Sequence, residues 1–231
     1  MPSVLVTGAR GFVGSHVADE LERRAVHTIR FSGDWRTLAP SWRIDALVHC
    51  IGAFNGDPMM THTNVLSTYR ALQYMPGARF VLASSGSAVN QTPYGVSKAA
   101  AEQLVRESDT PHCIMRLYYP VGAGQKRGLV PTLAERMRDG EAVMVGSTLS
   151  MTHIDDVAKA LADAAMGEFA DGLHEVAGWP VPVTQAVQIL AEELDVLPTM
   201  VKLPGTDCIV PVQNASLNPA DAIRDYARGV K

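Results

Sequence analysis

The sequence predicts an α/β fold, a doubly wound parallel sheet, followed by a small, loop-rich C-terminal lobe. Three observations carry that prediction. Short β-branched runs alternate with helical patterns through the first two thirds of the 231 residues. Those runs are apolar throughout rather than alternating, the pattern of strands covered by helices on both faces. Beyond Leu117 the rhythm breaks, and Pro180, Pro182, Pro198, Pro204 and Pro211 punctuate the C-terminal part of the chain.

Taken in order, Ser3–Thr7 reads as the first strand, and Phe12, Val13, Val17, Ala18 and Leu21 repeat at helical spacing after it. Strands are expected at Val26–Phe31, Ala46–Ile51, Arg79–Ala83 and His112–Leu117. A helix is carried by Tyr94, Ser97, Ala101, Leu104 and Val105. After the Gly/Pro-rich loop Tyr119–Gly124 come a helix at Pro131–Arg138, a strand at Ala142–Val145 and a helix at Asp155–Met166. The tail holds a strand at Leu173–Ala177, a helix at Thr184–Leu194, a strand at Met200–Leu203 and a helix at Pro219–Ala227. Residues 1–120 and 143–166 are expected to form the core. Residues 121–142 and 167–231 are expected to form the lobe, integrated with the core as a single unit.

Composition narrows the function classes. With 47% hydrophobic and 19% charged residues the chain can bury a core without disulfides. A net charge of −4 leaves no electrostatic footprint for nucleic acid or an anionic membrane. No apolar run approaches the ~18 residues of a membrane span. Neither nucleic acid nor membrane is therefore expected as a partner. Cys50, Cys113 and Cys208 are odd in number and lack C-x-x-C spacing, so Cys50 and Cys113 read as small core hydrophobes in a reducing compartment. Met1-Pro2-Ser3 has no basic stretch and Val4-Leu5-Val6 is too short for an export signal. The cytoplasm is the expected location.

The first strand runs into Gly8-Ala9-Arg10-Gly11-Phe12-Val13-Gly14 and then a helix. Glycines there allow a tight turn, close approach of backbone N–H groups to a pyrophosphate, and close helix–strand packing. The helix N-terminus adds a partial positive charge. This is the signature of a dinucleotide site in a Rossmann fold. The second expected strand offers no carboxylate over Thr28–Ser32 to bind a ribose 2′-hydroxyl. Arg10 and Arg30 can instead receive a 2′-phosphate, so NADP is the preferred cofactor, with NAD the other possibility.

Tyr94-Gly95-Val96-Ser97-Lys98 places a phenol and an ammonium at i and i+4, on one helical face. A nearby ammonium is expected to lower the tyrosine's ionisation from about 10, suiting it to proton transfer. His153-x-Asp155-Asp156 reads as a helix start with acids in its first turn rather than a metal site, and no metal is expected. Trp35 and Trp42 read as packing residues.

The spacing Thr7-Gly8-x-x-Gly11-x-x-Gly14 resembles the extended short-chain dehydrogenase/reductases, the NAD-dependent epimerase/dehydratase family. Gly33-Asp34-Trp35 is similar to the family's Gly-Asp after the second strand, which implies that Asp34 reaches the adenine, with Trp35 beside it. Asp45–Ala53 resembles the strand ending beside the cofactor ribose, which implicates Ile51, Gly52 and Ala53. Asn64-Val65-Leu66-Ser67-Thr68 looks like the family's Asn-Val-x-Gly-Thr helix, with Ser67 in place of glycine. Arg116–Gly122 and His153–Ala158 match later signatures, adding Tyr119, Pro120 and Val121 to the cofactor contacts. Together these matches span residues 3–166 in the family's order.

The resemblance implies Tyr94 as acid/base, Lys98 as its tuner and ribose ligand, and a serine at the end of the preceding strand as oxyanion donor. Counting from the strand selects Ser85, with Ser84 and Ser87 as rivals; counting back from Val89 lands on Gly86. It also implies a nucleotide-sugar substrate and a homodimer formed through Asn64–Tyr74 and Tyr94–Glu107, where Ala100, Ala101 and Leu104 offer small and apolar surface. Two departures matter. Only eight residues separate Ser85 from Tyr94, so the insert that shapes the substrate site is trimmed. Leu149 stands where many relatives carry a diphosphate-binding arginine, leaving Arg127 or Arg116 as candidates for that task, Arg116 having a strand cap as its other reading.

Dehydratases and decarboxylases of the family carry an acid just after the catalytic Ser/Thr, whereas this chain has Gly86 and Ser87. That leaves an NAD(P)-dependent ketone reductase or a 4-epimerase with retained NAD. The alternative from another class is a dinucleotide-binding sensor or structural protein without turnover.

Overall fold

The computed structural model describes residues 1–32, 43–54, 56–202, 207 and 210–230. Its elements begin with β1 (Ser3–Thr7), α1 (Phe12–Arg23), β2 (His27–Phe31), β3 (Ala46–His49), α2 (Met60–Tyr74) and β4 (Arg79–Ser85). A 3-10 turn over Gly86–Val89 leads to α3 (Pro93–Arg106) and β5 (His112–Leu117). Then come β6 (Pro120–Val121), α4 (Leu129–Arg138), β7 (Val143–Val145), β8 (Thr148–His153) and α5 (Ile154–Ala165). The chain closes with β9 (Gly172–Val176), β10 (Trp179–Pro182), α6 (Val183–Leu194), β11 (Met200–Lys202) and α7 (Pro219–Gly229). It divides into two units, Met1–Leu117 with Ala158–Glu175, and Tyr118–Val157 with Val176–Lys231.

The first unit is the doubly wound sheet, in the order β2-β1-β3-β4-β5-β9. β1 pairs in parallel with both β2 and β3, Val4 lying opposite Thr28 on one side and Ala46 on the other. β3 with β4, and β4 with β5, are also parallel. Every residue of β1 and β3 is buried, which is why those segments read as unbroken apolar runs. Leu5, Leu47, Phe80, Leu82 and Ile114 form the core with Ala101 and Val105 of α3. Strand order reverses between β1 and β3, and in open α/β sheets the carboxyl ends at such a switch point form the ligand crevice.

The second unit has its own core, in which Val121, Leu133, Met137, Val187, Leu190 and Ile223 are buried. β8 pairs antiparallel with β10 and parallel with β6, while β11 pairs with β7. Neither β8 nor β10 stands out in the sequence. β10 contains Pro180 and Pro182, and proline is tolerated there because the strand lies at the edge of its sheet. The Asp156 carboxylate accepts hydrogen bonds from Ser216 N (2.7 Å), Ser216 Oγ (2.8 Å) and Leu217 N (2.6 Å). It therefore pins the segment before α7. Leu149 is a core residue of this unit.

Candidate active site

The glycine turn after β1 has the shape its sequence implies. Gly8 has φ +66°, a left-handed value that favours glycine, and a Cβ there would lie 2.8 Å from the Cys50 carbonyl oxygen. A Cβ on Gly14 would run into the Gly8 carbonyl. Gly11 N donates to Gly8 O at 2.8 Å, closing the turn. α1 has Gly11 at its N-cap and no side-chain cap. Its first-turn N–H groups are thus left for an anion. Phe12 and Val13 are half-buried in that first turn. A backbone cradle closed to a Cβ at Gly8 and Gly14, at an uncapped helix N-terminus, fits a pyrophosphate.

The segment after β3 lies beside it. Ala53 N donates to Asn64 Oδ1 (2.8 Å), and Asn64 Nδ2 donates to Ala53 O (3.1 Å) and to Ser97 Oγ (2.9 Å). Ser97 Oγ in turn donates to Tyr94 O at 2.7 Å. One buried asparagine on α2 therefore fixes both the Ile51–Ala53 segment and the start of α3. A Cβ on Gly52 would lie 3.6 Å from Asn64 Oδ1 and 4.0 Å from Lys98 Nζ, so this segment passes directly beside both side chains.

Tyr94, Lys98 and Ser85 meet at the carboxyl end of β4. Ser85 caps the 3-10 turn, accepting from Ser87 N at 3.2 Å, and its side chain is hydrogen-bonded with the Tyr94 phenol. Its rivals differ. Ser84 Oγ donates to Glu102 Oε1 at 2.6 Å, and Ser87 binds Ser85 through its backbone. Lys98 is 5% exposed and donates from Nζ to Ala83 O at 2.9 Å. Burial pulls its ionisation down to about 8, against the pull of Cys50 and Glu102. Burial raises the Tyr94 phenol, with the Ser85 hydrogen bond opposing. The expectation of a lowered tyrosine is thereby corrected: Lys98 is turned to the Ala83 carbonyl, and desolvation governs the phenol.

Phe54 was not singled out by the sequence. Its ring stacks on Tyr94 with centroids 5.9 Å apart and planes 23° apart, yet it remains 53% exposed. No motif marks it; its position right after the Asn64-held Ala53 is the signal. His49 was missed as well. Fully buried, it contacts Thr7 Oγ1 (2.9 Å) through Nδ1 and Ser67 Oγ (3.1 Å) through Nε2. Burial and the Lys98 charge lower it to about 3, so it is neutral. Ser67, the residue in place of glycine, supplies that second partner.

Other expected residues are otherwise engaged. Arg116 does not face an open site: Nε and Nη2 bind Glu102 at 2.9 and 2.7 Å. Arg30 is clasped by Glu22 (2.8 Å) and by Asp19. Arg10 is exposed and donates to Ser32 O at 3.0 Å. Tyr119, Pro120 and Val121 belong to the second unit, where Tyr119 takes an unusual φ of +39° and Pro120–Val121 pairs with β8. Arg127 is exposed in the same unit. Asp34, Trp35, Trp42 and Cys208 lie outside the described residues.

This fold and glycine cradle define a dinucleotide-binding α/β protein. The family can be stated more closely: the model of the NAD dependent epimerase/dehydratase family matches residues 4–174, and the chain belongs to that family. It is an enzyme of the NAD-dependent oxidoreductase/epimerase type. No curated protein matches it. Among solved structures it is similar to the Bordetella bronchiseptica enzyme WbmH in complex with NAD+, at 18% identity and TM-score 0.83. UDP-glucuronic acid 4-epimerase from Bacillus cereus in complex with NAD is similar at 16% identity and TM-score 0.82. Both alignments cover 99% of this chain and 98% of the other. RMD from Pseudomonas aeruginosa complexed with NADPH is similar at 19% identity and TM-score 0.78, covering 98% of this chain and 99% of that one.

Proposed function

We propose that the chain is an NADP(H)-preferring oxidoreductase acting on a carbinol or ketone of a nucleotide sugar. The observation that carries this reading is the meeting of Ser85, Tyr94 and Lys98 beside the glycine cradle. Tyr94 Oη gives a proton to the substrate carbonyl oxygen, or takes it from the carbinol, while Ser85 Oγ donates a hydrogen bond to that oxygen. Burial keeps the phenol protonated at neutral pH, which suits it to proton donation and therefore to ketone reduction. Lys98 and Asn64 hold the ribose side, and Gly8, Gly11 and Gly14 the pyrophosphate, with Ile51, Gly52 and Ala53 lining the approach. When bound, the nicotinamide supplies or accepts the hydride.

NADP preference rests chiefly on Arg10, because Arg30 is already shared between two carboxylates. Tyr119, Pro120 and Val121 are assigned to the cofactor through the family pattern, and residues 121–142 and 167–231 to the substrate side. A cytoplasmic homodimer joined through α2 and α3 completes the reading. Among the described residues no helix is long and apolar enough to cross a membrane.

The UDP-sugar 4-epimerase among the similar structures favours a second reading, epimerisation with retained NAD. Incubation with NADPH and a panel of nucleotide-linked 4-ketohexoses and hexoses separates the two. Net NADPH consumption is expected; interconversion of C4 epimers without consumption supports the second reading. Absence of both, with cofactor bound, points to the sensor.

A further inference from the structure

Thr7 and His49 lie opposite one another where β1 pairs with β3, and their side chains meet at 2.9 Å through Oγ1 and Nδ1. Thr7 Oγ1 also accepts from Cys50 N at 3.3 Å. On the other side of the ring, His49 Nε2 is 3.1 Å from Ser67 Oγ on α2. Thr7 and His49 are fully buried, and Ser67 is half-buried. Counting protons fixes the direction of this chain. Among the described residues the Thr7 hydroxyl meets the Cys50 N–H and the imidazole. Cys50 N is a donor, so the acceptor left for the hydroxyl proton is Nδ1. His49 is neutral and carries one ring proton, which therefore sits on Nε2 and is donated to Ser67 Oγ. The proton of half-buried Ser67 can turn to solvent. The opposite tautomer would leave the Thr7 proton buried and unpaired, at a cost of about 1–3 kcal/mol.

We propose that His49 is a positioning residue for the dinucleotide cradle, held by Ser67 in the Nε2–H form so that Nδ1 fixes the Thr7 hydroxyl and, through it, the Cys50 backbone. This deepens, and rests on, the cofactor reading above. The Gly8 turn lies against the Cys50 carbonyl, since a Cβ on Gly8 would come within 2.8 Å of that oxygen. Asn64 precedes Ser67 by three residues on α2, so the two share a face, and Asn64 holds Ala53 through both its amide atoms. α2 thus sets both ends of the Cys50–Ala53 segment, one through the imidazole and one directly. Packing alone does not account for the residue: beside Phe80, with ring centroids 5.8 Å apart, an apolar ring would serve without either nitrogen.

Two measurements test it. In cofactor-free protein labelled with 15N at histidine, long-range 1H–15N correlation at neutral pH reads the His49 tautomer, with the ring signals assigned through the backbone. A pyridine-like Nδ1 and a pyrrole-like Nε2 are expected, and the reverse overturns the proposal. Ser67→Ala then removes the outer partner without touching the cradle. NADPH affinity by calorimetric titration is expected to fall about 3- to 10-fold, the worth of one hydrogen bond. Ser67→Thr, which restores the hydroxyl, is expected to recover it. A merely structural bond would lower stability in urea and leave NADPH affinity as it was; that result, or an equal loss of affinity in both variants, overturns the positioning role. If Ser67→Thr does not fold, the tautomer and Ser67→Ala decide. A wild type that shows the expected tautomer yet binds neither NADPH nor NADH strikes the cofactor reading itself, and the positioning role falls with it.

Discussion

Replacing Lys98 by methionine should make the protein more stable while abolishing its chemistry. The ammonium is 5% exposed, and burial brings its ionisation from 10.5 to about 8. That difference corresponds to about 3 kcal/mol of cost for holding the charge in the folded state at neutral pH. Methionine keeps the length and the apolar stem but leaves the Ala83 carbonyl without this donor, a loss of about 1 kcal/mol. Net stabilisation near pH 7 is about 2 kcal/mol. The sign with pH comes from linkage. Between pH 8 and 10.5 the unfolded chain holds a proton that folded Lys98 has released, so wild-type stability rises through that window. The variant's advantage is therefore full below pH 8 and nearly gone by pH 10. Urea unfolding of both proteins at pH 7 and pH 10 measures it. A variant destabilised equally at both values would refute the reasoning, because the charge would then sit in the fold without cost.

Gly14→Ala should lose cofactor binding and about 1–3 kcal/mol of stability, since its Cβ meets the Gly8 carbonyl; calorimetric titration with NADPH checks it. Arg10→Ala should weaken NADPH about 10- to 100-fold, the worth of a charge-assisted hydrogen bond, and leave NADH unchanged. Equal losses for both cofactors would remove Arg10 from the 2′-phosphate. Phe54→Ala uncovers one face of Tyr94, so the phenol should ionise at lower pH in an ultraviolet difference titration against Tyr94→Phe.

Short-range patterns made the sheet legible. β1 and β5 fall where apolar runs put them, and the glycine turn is set by spacing alone. β4 runs two residues further than its apolar stretch, because Ser84 and Ser85 continue the pairing with β5. β10 was hidden by its prolines, which an edge strand tolerates. At the site, Tyr94 and Lys98 were visible as an i, i+4 pair. Arg116 was not legible as a partner of Glu102, because the contact joins β5 to α3 across the sheet. The Asn64–Ser97 bond joins residues 33 apart, and the Phe54 stack leaves no periodic trace. Arg30 read as a free cation because its clasp comes from α1, which only folding brings beside β2.

The central claim is that Tyr94 moves the proton, and Tyr94→Phe tests it most directly. The variant keeps the ring against Phe54 and leaves the glycine cradle untouched. Single-turnover rates are measured on whichever nucleotide sugar the wild type converts, alongside NADPH affinity and thermal unfolding. The rate should fall about 10²- to 10⁴-fold with fold and affinity preserved. A variant that turns over at the wild-type rate would place the proton donor elsewhere and contradict the account.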